Sequence, residues 1–230
     1  MPDENVTHEV YANKSEIPFV HLENLGYGRF GVVDKVERSY SKDNEVYARK
    51  TIRTSYYNSQ KQMEKIMAEI KIVRKLQHPH IVNVVATYQA NREFGIIMQP
   101  VADMDLGEYL AETDSLPEGA PSNLEWLARC NRLKRWMRCL VQAMEYIHGE
   151  RIRHKDLKPA NILVQGENIH ITDFGVAKDL MDEATTASLG TLGERGTPMY
   201  CAPELYSEGQ RRGRATDMFS LGCITLEMVT

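Results

Sequence analysis

Cysteine is scarce in this sequence of 230 residues, which contains only four. Cys130, Cys139, Cys201 and Cys223 are widely spread, and no two of them form a Cys-x-x-Cys pair. This spacing argues against a zinc site and against the disulfide framework of a small secreted protein. We expect each cysteine to act as a small buried hydrophobic residue.

Long apolar runs and an excess of charge of one sign are also missing. Lys and Arg number 28 against 32 Asp and Glu, so the net charge is −4, which gives no electrostatic reason to bind nucleic acid or an anionic membrane. The apolar stretches Ile81–Tyr88 and Leu221–Val229 are too short and mixed to cross a bilayer. The acidic start MPDENVTHEV is not a signal peptide. We therefore expect a soluble intracellular protein, located in the cytoplasm, the nucleus or both.

The remaining composition is that of a globular protein, with 42% hydrophobic and 26% charged residues. Its length corresponds to about one and a half domains of roughly 150 residues. Residues 1–18 are polar and unpatterned, and we expect them to be flexible. From Phe19 to Ile52 the pattern predicts strands: valines precede a turn at Ser41–Asn44, and apolar positions alternate after it. A β-hairpin is the natural interpretation.

Helical signals follow the hairpin. Ser59–Gln62 resembles a capping box, and apolar residues recur at helical spacing from Met63 to Leu76 before Pro79 ends the helix. Ile81–Tyr88 and Phe94–Met98 predict two further strands before Pro100.

After Pro100 the pattern becomes mainly helical. We predict a short helix at Leu106–Ala111, a loop at Asp114–Ser122, and a long helix opened by Ser122 and Glu125. The apolar positions of this long helix are Trp126, Cys130, Leu133, Met137, Leu140, Met144 and Ile147. A strand-rich part followed by a helical part indicates an α+β fold with a joint near residues 99–103.

A glycine-rich segment, Gly26-Tyr-Gly28-Arg-Phe-Gly31-Val-Val33, lies in the strand-rich part. Glycines allow backbone N–H groups to approach phosphate oxygens closely. A Rossmann dinucleotide site has the same glycines but requires a helix directly after them, whereas strand alternation follows here. A strand–loop–strand unit over a phosphate fits better, and a glycine-rich turn that binds nothing stays open on this motif alone.

Lys50 lies on the strand after the predicted turn, on the same face as Ala48 and Ile52, which should be buried. A lysine on an apolar face needs a counter-charge. Glu69 on the following helix is a plausible partner, and Glu64 competes with it. A solvated surface lysine is the ordinary alternative.

Two polar segments in the second half combine groups suited to phosphate chemistry. His154-Lys-Asp156-Leu-Lys158-Pro-Ala-Asn161 brings acidic, cationic and amide groups together, and its proline prevents a regular helix. Asp173-Phe-Gly175 follows an alternating strand pattern. Asn and Asp supply the oxygen ligands that suit Mg²⁺.

With these motifs in order, the chain resembles the eukaryotic protein kinase family, and Ala202-Pro-Glu204 adds the last of its signatures. The resemblance implies a bilobal fold with a small β-rich N-lobe carrying one main helix and a mainly helical C-lobe. The resemblance implies a kinase domain at residues 19–230, with an N-lobe at about 19–98, a hinge at about 99–103 and a C-lobe at about 104–230.

The resemblance also implies roles for individual residues. Asp156 would accept the proton of the substrate hydroxyl, and Lys158 would neutralise the transferring phosphoryl group. Lys50 would pair with Glu69, while Asn161 and Asp173 would hold Mg²⁺. ATP would lie against a larger set: Gly26, Tyr27, Gly28, Arg29, Phe30, Gly31, Val33, Ala48, Lys50, Met98, Gln99, Val101, Asp105 and Leu163.

Within that set, Met98 would be the gatekeeper, Gln99 to Val101 the hinge and Asp105 the contact to ribose. At the positions of Lys158 and Thr197 the sequence resembles serine/threonine kinases rather than tyrosine kinases. The implied substrates are therefore Ser and Thr hydroxyls of proteins. Candidate activating phosphosites are Thr185, Thr186, Ser188 and Thr191. Lys155 replaces the arginine usual in the catalytic loop of the family. A lysine cannot bind a phosphate through two parallel hydrogen bonds, so we expect activity to depend less on activation-loop phosphorylation.

Two other interpretations compete. One is a non-catalytic nucleotide-binding or scaffold protein of kinase shape, and the other is a small-molecule kinase, against which the Ala-Pro-Glu segment argues. The chain stops eight residues after Gly222. Apolar residues still recur at helical spacing there, and the family's final helices and the arginine expected to pair with Glu204 are absent. We therefore expect an incomplete C-lobe of marginal stability and impaired activity.

Overall fold

The computed structural model describes residues 7–28, 31–39, 45–53, 70, 73–114, 123–174, 178–179, 197–206 and 213–230. The chain forms two compact units. The first contains Met1–Gln77 and Val82–Ala102, and the second contains His78–Ile81 and Asp103–Thr230. The strands are concentrated in the first unit and the long helices in the second, which agrees with the predicted α+β class.

A six-stranded sheet dominates the first unit. Its strands are β1 (Thr7–Tyr11), β2 (Phe19–Gly28), β3 (Gly31–Arg38), β4 (Val46–Arg53), β5 (Asn83–Ala90) and β6 (Glu93–Gln99). They lie in the order β1-β5-β6-β4-β3-β2, with β1 parallel to β5 and all other neighbours antiparallel. The predicted hairpin is confirmed as β3–β4, and its predicted turn at Ser41–Asn44 lies outside the described residues.

The N-terminal segment that we expected to be flexible contains secondary structure at residues 7–16. Thr7–Tyr11 pairs with β5, and a 3₁₀ helix follows at Lys14–Glu16. Pairing satisfies the backbone groups along the edge of β5, and the Tyr11 ring packs edge-on against Tyr88 with centroids 6.2 Å apart. The partner strand is about 80 residues away in sequence, so local patterning could not reveal it.

The strand register defines two faces of this sheet, because directly opposite residues of an antiparallel pair point to the same side. Val33, Lys50 and Ile96 are opposite one another, as are Lys35, Ala48 and Met98. We call their side the Lys50 face. The Arg49 face carries Val32, Asp34, Val36, Tyr47, Arg49, Thr51 and Ile97.

A buried cluster covers part of the Arg49 face. It consists of Val36, Tyr47, Tyr88, Ala90 and Ile97, and Tyr11, Ile17 and Phe19 pack against it. The N-terminal segment therefore supplies apolar surface that this side of the sheet requires.

Only the end of the helix predicted before Pro79 lies within the described residues. Ile70 and Val73–Lys75 are helical. Ile70, Val73 and Leu76 are buried, as the predicted periodicity requires.

Within the described residues, the α-helices of the second unit are α1 (Leu106–Asp114), α2 (Asn123–Gly149) and α3 (Ala215–Glu227). Short strands accompany them: β7 (Met104–Asp105), β8 (Ile152–Arg153), β9 (Ile162–Gln165), β10 (Asn168–Ile171) and β11 (Lys178–Asp179). β10, β9 and β7 form one sheet, and β11 pairs with β8.

The long helix α2 is confirmed, but its buried stripe differs from the prediction. Trp136 is fully buried and donates its indole N–H to the carbonyl of Glu167 at 2.9 Å. Trp126, expected on the apolar side, is 58% exposed. The fully buried positions lie in the second half of α2: Trp136, Leu140, Ala143, Met144 and Ile147.

The strand predicted at Ile81–Tyr88 begins two residues later, at Asn83. Ile81 instead bridges to Ile171, and the Ile171 N–H donates to the carbonyl of His80 at 2.8 Å. This pairing explains why His78–Ile81 belongs to the second unit.

All four cysteines are free, as expected, but each is only half-buried rather than buried. Within the described residues, no helix has the length and apolar character needed to span a membrane.

Candidate catalytic site

The Asp156 carboxylate lies at the centre of a hydrogen-bonded group in the second unit. It is 6% exposed. Its Oδ1 accepts hydrogen bonds from the Thr197 backbone N–H at 2.9 Å and from the Thr197 hydroxyl at 3.0 Å. Lys158 Nζ lies 3.3 Å from Oδ2 and donates to the Thr197 hydroxyl at 3.0 Å. One carboxylate oxygen is thus anchored, and the other lies beside a cation.

Asp217, near the start of α3, holds the loop that carries Asp156. Its Oδ2 accepts from the His154 N–H at 3.0 Å and lies 2.9 Å from His148 Nε2, while its Oδ1 accepts from the Lys155 N–H at 2.9 Å. Burial alone would raise the pKa of Asp217, but the hydrogen bond to His148, the charge of His154 and the two backbone N–H groups outweigh it and lower the pKa.

Sequence reasoning did not assign Asp217 to the site. The available signal was an acid in the first turn of a mainly apolar helix, in Ala215-Thr-Asp217-Met-Phe-Ser-Leu. A fully buried acid needs donors, and here they lie more than 60 residues away.

The loop of Asp156 and the position of Asp173 each include a left-handed backbone conformation that non-glycine residues rarely adopt. Lys155 has φ 69° and Asp173 has φ 62°. Such conformations cost free energy and persist where the surroundings hold them. Asp217 supplies that restraint at Lys155 through its hydrogen bond to the backbone.

The side chain of His154 connects the loop that carries Asp156 to the segment that contains Asp173. Its ring is fully buried, and Nε2 donates to the carbonyl of Thr172 at 2.9 Å. The ring also packs against Phe174 with centroids 4.9 Å apart. Because a carbonyl only accepts, Nε2 carries the proton.

The β9–β10 hairpin brings together the two residues predicted to hold Mg²⁺. Asn161 immediately precedes β9, and Asp173 is the second residue after β10. The intervening Thr172 donates its N–H to the Asn161 carbonyl at 3.0 Å. Asn161 Nδ2 donates to the carbonyl of Asp156 at 2.7 Å, which leaves Oδ1 as its ligand atom. This oxygen donor set suits Mg²⁺, which keeps water and phosphate oxygens as its other ligands. The described residues contain no cluster of three or more His, Cys, Asp or Glu side chains arranged for a metal ion.

Asp105 and Leu163 are directly opposite each other in the β7–β9 register. Asp105 also caps α1: its Oδ1 accepts from the Glu108 N–H, and Glu108 Oε2 accepts from the Asp105 N–H, both at 3.0 Å. This reciprocal capping box is a structural role that the sequence analysis did not assign.

The glycine-rich segment in the first unit connects β2 to β3. Gly26 has φ 150°, and Gly28 pairs with Gly31 across the hairpin, while Arg29 and Phe30 lie outside the described residues. A Cβ at Gly31 would lie 2.0 Å from the Thr51 carbonyl oxygen, so close strand packing alone requires this glycine. A strand follows the glycines directly, which excludes the Rossmann alternative.

Lys50 is 6% exposed, as the alternation predicts, so a solvated surface lysine is excluded. It shares the Lys50 face with Val33, Ala48 and Met98, which the sheet therefore brings together. Gln99 ends β6, and Val101 follows it.

Several predicted residues lie outside the described residues, and their assignments stay predictions. They are Glu69 and its competitor Glu64, Gly175, and the candidate phosphosites Thr185, Thr186, Ser188 and Thr191. For Tyr27 and Gly28 only the backbone is described.

Comparison with known proteins supports this arrangement of motifs. Residues 19–230 match the protein kinase domain family. The chain is 33% identical over 208 residues to serine/threonine-protein kinase 36 of Pongo abelii, covering 90% of this chain and 14% of that protein. It is 32% identical over 210 residues to serine/threonine-protein kinase RUNKEL of Arabidopsis thaliana, covering 90% and 14%.

A third relative is serine/threonine-protein kinase fused of Drosophila melanogaster, 33% identical over 208 residues, with 88% of this chain and 23% of the relative covered. The chain thus spans less than a quarter of the length of these three relatives. With its motifs in order and the match extending from residue 19 to residue 230, the chain belongs to the protein kinase domain family.

Proposed function

We propose that this chain is the catalytic part of a serine/threonine protein kinase that transfers the γ-phosphate of ATP to Ser or Thr hydroxyls of protein substrates. The observation that carries the proposal is the Asp156 carboxylate, anchored by Thr197 through one oxygen and adjacent to Lys158 through the other. The names of the relatives support the choice of serine and threonine. The cytoplasm, the nucleus or both are the proposed location.

The reaction forms a bond between the substrate hydroxyl oxygen and the γ-phosphorus, while the bond from that phosphorus to the β–γ bridging oxygen breaks and ADP leaves. Asp156 Oδ2 takes the hydroxyl proton. Its other oxygen is held by two hydrogen bonds, which fix the direction of the carboxylate. Lys158 stabilises negative charge on the transferring group, and its contact with Thr197 holds it in place.

Asn161 Oδ1 and the Asp173 carboxylate are the proposed Mg²⁺ ligands. A bound Mg²⁺ would neutralise phosphate charge. The hydrogen bond from Asn161 Nδ2 to the Asp156 carbonyl orients the amide, and the β9–β10 hairpin sets its position relative to Asp173.

In the first unit, Lys50 is proposed to pair with the phosphates of ATP and with Glu69. Apolar surface lies beside that cation on the Lys50 face, from Val33, Ala48 and Met98. Such a surface suits the planar adenine ring of ATP. A buried cation next to apolar surface is a costly arrangement unless an anion accompanies it.

The decisive experiment measures transfer of labelled phosphate from ATP with Mg²⁺ to a generic basic protein. Asp156→Asn removes the base but keeps the shape of the side chain, so we expect a rate loss of about 10²–10⁴-fold with little change in melting temperature. Lys50→Met tests the nucleotide contact in the other unit. Glu150→Gln, at an exposed acid of the second unit, is the matched control and should retain full activity.

Full activity in Asp156→Asn would overturn the assignment of the base. A rise in melting temperature with ATP but no phosphate transfer by the unmodified chain would overturn the kinase proposal in favour of a nucleotide-binding scaffold.

A further inference from the structure

A cavity lies in the first unit, on the Arg49 face of the sheet, which is opposite the face that carries Lys50. Its volume is about 530 Å³, which falls within the range of sites for small organic molecules. Strands β3 and β4 form its floor through Asp34, Arg49 and Thr51. Lys14 and Ile17 of the N-terminal segment and Phe19, the first residue of β2, form a wall.

The acidic groups of this cavity have their acceptor oxygens occupied. Asp34 is 5% exposed, and it accepts from Arg49 Nε at 3.0 Å and from Arg49 Nη2 at 2.5 Å, while His21 Nδ1 lies 2.8 Å from it. Glu93 accepts from the Tyr88 hydroxyl at 3.1 Å through one oxygen and from Lys14 through the other. These carboxylates are therefore already neutralised by protein donors.

The cationic groups keep donors available. The Lys14 side chain is 55% exposed, and its ammonium has three donors, of which Glu93 takes one. Arg53 is exposed at the end of β4, directly opposite Glu93 in the register, and no described side chain pairs with it. The unused hydrogen-bonding capacity of these charged groups is therefore donor capacity, which suits an anion.

The remaining wall of the cavity is apolar. Ile17 contributes from the N-terminal segment, Phe19 from the start of β2, and Val32, which is 38% exposed, from β3. Phe19 is held in place by an edge-on contact with Tyr47, with centroids 6.0 Å apart. Apolar walls with a few placed polar groups are the usual composition of a small-molecule site.

We propose that this cavity binds a small organic anion. Its carboxylate, phosphate or sulfonate group pairs with Arg53 and Lys14, and its apolar body lies against Ile17, Phe19 and Val32. Because Lys14 and Ile17 belong to the segment between β1 and β2, the bound ligand also favours attachment of that segment to the sheet.

The experiment is a fluorescence titration with 1-anilinonaphthalene-8-sulfonate, a sulfonate on an apolar aromatic body. We expect one site whose affinity falls by about tenfold or more in Arg53→Gln and in Lys14→Gln, because each loses a charge-assisted hydrogen bond. Val32→Phe fills the cavity while keeping a strand-forming residue, and it should weaken binding similarly. Lys134→Gln, an exposed cation on α2, is the charge-matched control and should leave the affinity unchanged.

A neutral probe separates loss of the anion contact from loss of folding. N-phenyl-1-naphthylamine has the same apolar body without the sulfonate, so Arg53→Gln should not change its binding, whereas Val32→Phe should weaken it. Saturating ATP with Mg²⁺ should displace neither probe, so this outcome does not depend on the proposed kinase activity. Equal sulfonate affinity in the unmodified chain, Arg53→Gln and Val32→Phe, or displacement by ATP, would overturn the proposal.

Discussion

Asp217 in the second unit and Asp34 in the first are both buried carboxylates with lowered pKa values, but different donors surround them. Asp217 binds two backbone N–H groups of the catalytic loop and the ring of His148. Among the described residues, the partners of Asp34 are two side chains, those of Arg49 and His21. Burial raises the pKa of each acid, and the hydrogen bonds outweigh it in both cases.

This difference in donors decides what each acid does. Backbone donors tie Asp217 to the path of the chain, so it holds the loop of Asp156 in a conformation that includes a left-handed residue. Side-chain donors tie Asp34 to a charge pair on a sheet whose backbone is already held by strand pairing. Removing the two acids should therefore have unequal consequences.

The largest effect should come from Asp217→Ala. It leaves the N–H groups of His154 and Lys155 without their acceptor in a buried site, so we expect the free energy of unfolding to fall by about 3–5 kcal/mol. Denaturant unfolding measures the change. Asp217→Asn, which keeps one acceptor oxygen, should cost less, and a loss below about 1 kcal/mol in Asp217→Ala would contradict this role.

Arg49→Met should have a smaller effect. It leaves Asp34 as a buried charge without its main partner, but the neighbouring cavity and His21 moderate the cost, so we expect a loss of about 1–3 kcal/mol. The double variant Asp34→Leu with Arg49→Met should recover most of it, since an apolar pair of similar volume needs no donors. A double variant as unstable as Arg49→Met would show that the charge pair itself stabilises the fold.

The change in the free energy of unfolding with pH should be smaller than the loss in Arg49→Met. It should arise from His78 and His170 in the second unit. Burial, and then the charge of nearby His80, lower the pKa values of His78 and His170 below 6.5. The unfolded chain then binds more protons than the folded chain as the pH falls below 6.5, so the free energy of unfolding decreases with falling pH in that range. Unfolding curves at pH 7.5 and pH 5.5 measure this, and His170→Phe should reduce the difference.

The smallest effect should come from the ion pair between Lys35 and Glu23, whose side chains are 31% and 58% exposed and 2.9 Å apart. This pair links β2 to β3 in the same sheet as Asp34 and Arg49, but water screens the attraction between its charges. Glu23→Gln should change the free energy of unfolding by less than about 1 kcal/mol, and added salt should reduce that change further. A change as large as that of Arg49→Met would remove the distinction between buried and exposed pairs.

Elements with local signals were predicted well from the sequence. The β3–β4 hairpin, the burial of Lys50 and the helix α2 all follow from alternation or helical spacing within a single segment. The strand at Thr7–Tyr11 and the bridge between Ile81 and Ile171 were missed, because each depends on a partner about 80 or 90 residues away. Trp126 was wrongly expected on the apolar stripe of α2, because periodicity gives the spacing of a buried face but not where burial begins along the helix.

The sequence by itself determined the order of the motifs, and with it the family and the residues proposed for chemistry. The reason is that each motif is defined by residue types, such as glycine, lysine, aspartate and asparagine, at fixed positions within a short segment. Tertiary structure decided which donors each acid receives. Asp217 reaches a loop more than 60 residues before it, and Asp34 meets Arg49 across a strand register that also separates Lys50 onto the other face. The pairing of Asp217 with that distant loop depends on packing of the whole unit, which no local pattern records.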